Sequence, residues 1–319
     1  MRGLNSTYAK IKPVSRLTKG YLIAVIGTVI WSFTAVFIRY LTETYHLPPL
    51  VLAFWRDLVV CGALSLVFVT FKPALLRVDR RHLKFLFFYG FLLSIFNSLW
   101  TVSVALNGAA VATVLAYSSA AFTAVLAWRF FQESLGRVKL LAVALSILGC
   151  AFVSGAYNPA AWQVNPLGII TGLLSGIAFA GYSLMGKASS QRSINPWTTL
   201  LYTFSFGTVF LLVYNIFPAW LPGIHSTPDL LWLGRAWAGW GVLILLGIGP
   251  TIGGYGLYTV SLTYLPASVA NLVATLEPSM TAVLAYLFLG ERLTSPQLFG
   301  SALVITGVII LRLNESRSG

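Results

Sequence analysis

The chain has 319 residues, 57% of them hydrophobic and only 9% charged, with a mean hydropathy of +0.82. A soluble domain carries about a quarter charged residues, so this composition excludes a water-soluble globular protein. The formal net charge of +13 is spread over short segments between apolar runs, which argues against nucleic acid as a partner.

The apolar residues come in runs of about 20, the length of helix that crosses a hydrocarbon core. Backbone groups in lipid must be satisfied within their own segment, so each run predicts a helix. The period-two alternation of a membrane barrel is missing. After a basic segment, residues 1–17, ten spans are expected: Lys19–Tyr40, Leu50–Phe71, Phe85–Leu106, Ala109–Phe131, Val138–Ala156, Leu167–Gly186, Trp197–Phe217, Trp240–Tyr264, Ser268–Leu289 and Gln297–Leu313. Turns are marked by Pro48-Pro49, Asn107-Gly108, Asn158-Pro159 and Pro266. The expected organisation is a five-helix unit over 18–156, an extracytoplasmic linker over 157–166, a second unit over 167–313 and a tail over 314–319.

With the amino terminus inside, 17 of the 21 Lys and Arg residues fall on inner segments. Such a bias places both termini in the cytoplasm, and basic inner loops favour anionic lipid headgroups. The long basic stretch before the first span reads as the flank of a retained helix, without a convincing cleavage site. Cys61 and Cys150 lie in different spans, and His46, His82 and His225 in separate loops. No metal site and no cofactor are implied. The Trp-rich stretch 218–239 is expected on the outer membrane surface, over the outer opening.

A repeat runs through the chain. Under a gap-free shift of 158 residues, Ser103–Leu135 falls on Ser261–Leu293 with 13 of 33 positions identical, Glu133 meeting Glu291. The unit holds five spans, an odd number, so the second copy enters the membrane in the opposite direction. Inverted repeats of this kind build secondary transporters, with the substrate near the midplane between the halves.

Several short motifs carry a family likeness. They are Trp31-Ser32-Phe33 with Arg39, Phe54-Trp55-Arg56, Gln132-Glu133-Ser134-Leu135, Leu276-Glu277-Pro278 and Gly290-Glu291-Arg292-Leu293. In these the chain resembles the EamA-type members of the drug/metabolite transporter superfamily, over about Thr18 to Leu313. The resemblance implies ten helices in two inverted five-helix repeats and export of amino acids or other metabolites. The first repeat departs from the pattern at Ser119-Ala120, where relatives often have proline, so its fourth helix is expected to be straighter.

Glu277 is the sharpest candidate residue. An ionisable group in mid-span is costly and faces a cavity or a partner, and Pro278 frees the Ala274 carbonyl and kinks the helix. Glu277 is expected to take a substrate amine or a coupling proton, or else to fix helix packing, since Glu-Pro occurs across the resembling family whatever the cargo. Arg56 and Asp57 are adjacent on the second span. Neighbouring side chains on a helix do not face each other, so they are expected to serve different partners, Arg56 a substrate carboxylate or else helix packing or gating, and Asp57 a neighbouring helix. Asn97 and Trp100 fall on Tyr255 and Tyr258 under the repeat shift, each pair on one helical face. Gly249-Pro250-Thr251 predicts a bend in the eighth span, and broken helices mark transporter sites. Trp31, Tyr117, Ser119, Tyr182 and Asn271 complete the expected lining of a midplane cavity.

Zinc-protease, nucleophile-elbow and Walker signatures are missing, so neither an enzyme nor an ATP-driven pump is expected. A channel or a non-transporting receptor or assembly protein is the rival reading. Two repeats in one chain would let a monomer hold a complete pathway for a small-molecule substrate.

Overall fold

The computed structural model describes residues 15–159, 165–217, 229–289 and 294–318. Among these the regular structure is helical. α1 (Arg16–Tyr45) starts on Ser15, whose hydroxyl accepts from the Thr18 N–H at 3.1 Å. α2 (Pro49–Phe71) has proline in its first turn, where the missing N–H costs nothing. A 3₁₀ turn, Pro73–Leu76, leads to α3 (Arg80–Tyr117), capped by the Asp79 carboxylate. Then follow α4 (Ser119–Phe131), α5 (Arg137–Val153), α6 (Pro166–Gln191) and α7 (Pro196–Ile216), the last two started by Asn165 and Asn195 with proline behind each. α8 (Trp237–Leu246), a π-helical turn (Gly247–Thr251) and α9 (Ile252–Ser261) form one interrupted span. α10 (Ala267–Ala274), α11 (Glu277–Leu289) and α12 (Ser295–Ser318) complete the bundle.

Eight helical stretches among the described residues are long and apolar enough to cross a membrane. The other two expected spans have physical reasons for falling short. α5 has 17 residues. The ninth span is divided into α10 and α11 at Thr275-Leu276, just before Pro278. The result is an all-helical membrane bundle of ten spans.

α3 takes in the third expected span and the start of the fourth, and the chain reverses inside it. A Cβ on Gly172 of α6 would sit 2.7 Å from Ser103 Oγ and 2.6 Å from a Leu115 methyl. A straight helix would hold those two residues about 18 Å apart. The turn expected at Asn107-Gly108 falls between them in sequence. The fourth span is not straight. It breaks at Ser118 between α3 and α4, at the site that matches Leu276 in the second repeat. No proline is needed there: the Ser118 N–H is shared between Val114 and Leu115 carbonyls at 3.2 Å each, and its hydroxyl also donates to Leu115. Back-bonding of this kind competes with the helical ladder and bends it.

The eighth span bends where Pro250 predicts. Proline cannot donate to the Leu246 carbonyl, and the Thr251 hydroxyl does so instead at 2.8 Å. The last spans of the two repeats, α5 and α12, pack backbone to backbone: a Cβ on Gly149 would lie 2.6 Å from the Gly300 carbonyl. Basic residues gather at one end of the bundle. There Arg16 reaches the Thr263 carbonyl, Lys19 lies over Tyr264, Arg192 over Phe85 and Arg312 over Tyr21. The fourth span finishes at this Arg16 end, where the ninth begins, as an inverted repeat requires. The opposite end holds Tyr45, and there Trp55, Trp232 and Trp240 donate to the carbonyls of Leu230, Tyr45 and Gly234. Of the expected outer cover, 229–235 packs across α1 and α2, while 218–228 lies outside the described residues.

Candidate functional site

A cavity of about 80 Å³, taken as the space open to the centres of water molecules, lies between the repeats in the half nearer Tyr45. Its wall comes from both halves: Trp31, Thr34 and Ile38 of α1, Arg56 of α2, Phe96, Asn97, Trp100, Thr113, Ala116 and Tyr117 of α3, then Phe179, Tyr255 and Glu277. One water occupies about 10–15 Å³ on this measure, so the space suits a compact molecule. Trp31 and Tyr255 face one another with ring centroids 4.3 Å apart. Their approach depends on Gly254, where a Cβ would fall 2.7 Å from that of Trp31. Gly254, five residues after the expected bend at Gly249-Pro250, thus brings α1 against α9.

Glu277 stands at the first residue of α11, where the helix dipole favours a negative group. Its carboxylate accepts a hydrogen bond from the Tyr117 hydroxyl of the other repeat. Ser32 donates to both the Thr28 and Glu277 carbonyls, at 2.7 and 3.3 Å, and so fixes α11 to α1. The break before Pro278 thus presents the carboxyl group to the cavity while satisfying the backbone around it.

Arg56 and Asp57 depart from expectation. They do form a local pair, with Arg56 Nε donating to Asp57 Oδ1 at 3.0 Å and Nη2 2.9 Å from the same oxygen. Adjacent Cβ atoms diverge on a helix, but the long arginine side chain curls back far enough to close the gap. Asp57 also accepts from Asn97 of α3 at 3.3 Å. Nη2 lies near the carboxylate without hydrogen-bond geometry toward it or any other group, leaving a donor at the cavity wall.

Seven of the expected residues meet at this cavity: Trp31, Arg56, Asn97, Trp100, Tyr117, Tyr255 and Glu277. Ser119, Tyr182, Tyr258 and Asn271 lie off its wall, toward the Arg16 end. Ser119 donates to Asn271 Oδ1 at 3.1 Å, Asn271 Nδ2 donates to Ser183 at 2.9 Å, and Ser183 and Tyr258 share a hydrogen bond of 2.6 Å. Tyr182 stacks near Tyr258 and contacts Tyr89 at 4.8 Å between centroids. This layer closes the bottom of the cavity. Pro250 and Pro278 lie behind the wall at the two helix breaks. Arg39's side chain and Glu291 fall outside what is described.

A further cluster escapes the sequence reading. Glu133, after α4, accepts from the N–H groups of Ala267 and Ser268 at 2.8 and 3.3 Å and from the Ser268 hydroxyl. Lys139, 4% exposed on α5, donates to Ser268 at 3.0 Å and lies 3.9 Å from Glu133. The carboxylate caps the start of α10, and the two repeats are tied at the Arg16 end. The signal in the sequence was a lysine written into the apolar run of the fifth span.

The profile of the EamA-like transporter family matches residues 18–155 and 166–313. The chain belongs to the EamA-like transporter family. It is therefore a multi-pass membrane transporter of the drug/metabolite superfamily and not an enzyme. An uncharacterized transporter of Synechocystis sp. is 29% identical over 227 residues, 71% of this chain and 65% of the relative. A probable amino-acid metabolite efflux pump of Salmonella typhimurium is 27% identical over 300 residues, 92% of this chain and 94% of the relative. A solved crystal structure shares the fold at a TM-score of 0.75 and 14% identity, covering 94% of this chain and 98% of that one.

Proposed function

We propose that this EamA-like protein is a secondary transporter that exports small metabolites, amino acids or aromatic and amphipathic compounds, by alternating access around the cavity between its repeats. The observation that carries the reading is one interface with two conditions. Near Tyr45 the interface between the repeats encloses a cavity beside Glu277, and near Arg16 the repeats are joined through Glu133. A cavity between two inverted repeats, displaced toward one end and tied off by polar contacts at the other, suits a carrier in which rocking of the repeats would exchange access between the two sides. The aromatic wall suits an amphipathic cargo, and the efflux-pump name of the Salmonella relative agrees in kind.

On this reading Trp31, Asn97, Trp100, Tyr117, Tyr255 and Glu277 contact cargo. Ser119, Tyr182, Tyr258 and Asn271 contact it once the lower layer opens. Glu277 also serves as the site of a coupling proton. The basic Arg16 end faces the cytoplasm of a cell with the protein in its inner (plasma) membrane, both termini inside.

Counterflow into liposomes holding the purified protein tests the reading. A pooled panel of labelled amino acids, nucleosides and organic cations should show accumulation of one class. Ion currents without saturable exchange would replace the carrier by a channel.

A further inference from the structure

We propose that the cargo of this cavity is an organic monocation, an amine whose ammonium group sits on the Glu277 carboxylate between the aromatic walls. The proposal rests on the transporter reading above and narrows its cargo to one charge type.

The charges around the cavity carry the inference. Among the described residues three acidic or basic side chains meet there: Arg56, Asp57 just behind it, and Glu277. Arg56 and Asp57 are 6% and 0% exposed and neutralise each other through the 2.9 and 3.0 Å contacts. Asn97 holds the second carboxylate oxygen of Asp57. Glu277 has no such counter-ion among the described residues, and its side-chain partner is the neutral Tyr117 hydroxyl. Among the described groups the site thus lacks one positive charge for neutrality, and in a low-dielectric site that balance weighs heavily. An ammonium ion supplies it. An anion would add a second uncompensated negative charge. A zwitterion would leave the site with the charge it had before, because its carboxylate would have to compete with Asp57 for Arg56.

The walls agree with a cation. Trp31, Trp100 and Tyr255 surround the same space as Glu277, and aromatic faces attract a desolvated ammonium group. The unbonded Nη2 of Arg56 then offers a donor to a neutral oxygen on the cargo, such as a hydroxyl group.

Three compounds that share one ring isolate the charge: tyramine, a cation; tyrosine, a zwitterion; and 3-(4-hydroxyphenyl)propionate, an anion. Binding of radiolabelled tyramine to the purified full chain is displaced by each, and each is loaded in turn for counterflow. Tyramine should bind saturably and exchange, with the zwitterion and the anion at least about tenfold weaker competitors, the scale of one good charge interaction in a buried site. Glu277→Gln should remove tyramine binding while the variant elutes and melts as a folded protein. If that variant does not fold, the comparison of the three compounds on the natural protein decides alone. Equal or tighter binding of tyrosine or the propionate, or no saturable tyramine binding, overturns the proposal. Exchange of tyrosine without tyramine would do so while leaving the transporter reading intact. Absence of counterflow for every compound of the wider panel would instead defeat the transporter reading itself.

Discussion

Around Glu277 the two repeats touch through few polar bonds and leave aromatic side chains facing a cavity. Around Glu133, at the other end of the same helices, they are joined by a carboxylate on two backbone N–H groups, a buried lysine and the Ser119–Asn271–Ser183–Tyr258 chain. Both regions use a glutamate of one repeat against a residue of the other. The difference is in what surrounds the carboxylate. Glu133 is saturated by donors and holds a closed contact. Glu277 has a single phenol partner and is left for a ligand. Polar saturation marks the sealed end, and its lack marks the working site.

The comparison can be broken at several points. Glu277→Gln should abolish counterflow, since it removes the charge on which the cavity is built, with the variant still folded by size-exclusion and thermal melt. Asp57→Asn should cost about 3–5 kcal/mol, because a buried guanidinium loses its counter-ion, seen as a large fall in the detergent melting temperature. Adding Arg56→Gln to that variant should restore much of the loss, which a mere packing defect would not allow. Glu133→Gln should cost less, about 1.5–3 kcal/mol, for weakened charge-assisted bonds at the start of α10. Its mark is an opened Arg16 end, read as faster thiol labelling of a cysteine placed at the buried Ala270 of α10. Gly254→Ala should have the smallest effect of the three on folding, about 1–3 kcal/mol for the overpacked contact of α9 with α1. Its methyl group would fall 2.7 Å from Trp31 Cβ and push Trp31 from Tyr255, so cargo affinity should fall in a binding titration of the folded variant.

Much of this was legible in the sequence, and each omission has a reason. Hydropathy marks the spans because lipid leaves the backbone no other choice. The Glu133–Glu291 repeat marks the inversion. Pro250 and Pro278 mark two helix breaks, since a missing N–H is written in the residue itself. The break at Ser118 was hidden because serine bends a helix only where its hydroxyl finds the preceding turn. The Arg56–Asp57 pair was hidden because spacing describes Cβ directions and not the reach of a long side chain. The split of the candidates between cavity and lower layer depends on depth along the bundle, which periodicity does not encode. Asn97, Trp100 and Tyr255 line the cavity, while Tyr258, one turn beyond Tyr255, is turned into the hydrogen-bonded floor.

The most direct test of alternating access is a pair of spin-label distances in liposomes. One pair, Ser134 with Ser193, spans the Arg16 end; the other, Thr44 with Arg235, spans the Tyr45 end. All four side chains are exposed. During saturating cargo exchange the first distance should lengthen in a population for which the second shortens. Active exchange with both distances unchanged, or with both ends open together, would contradict the account.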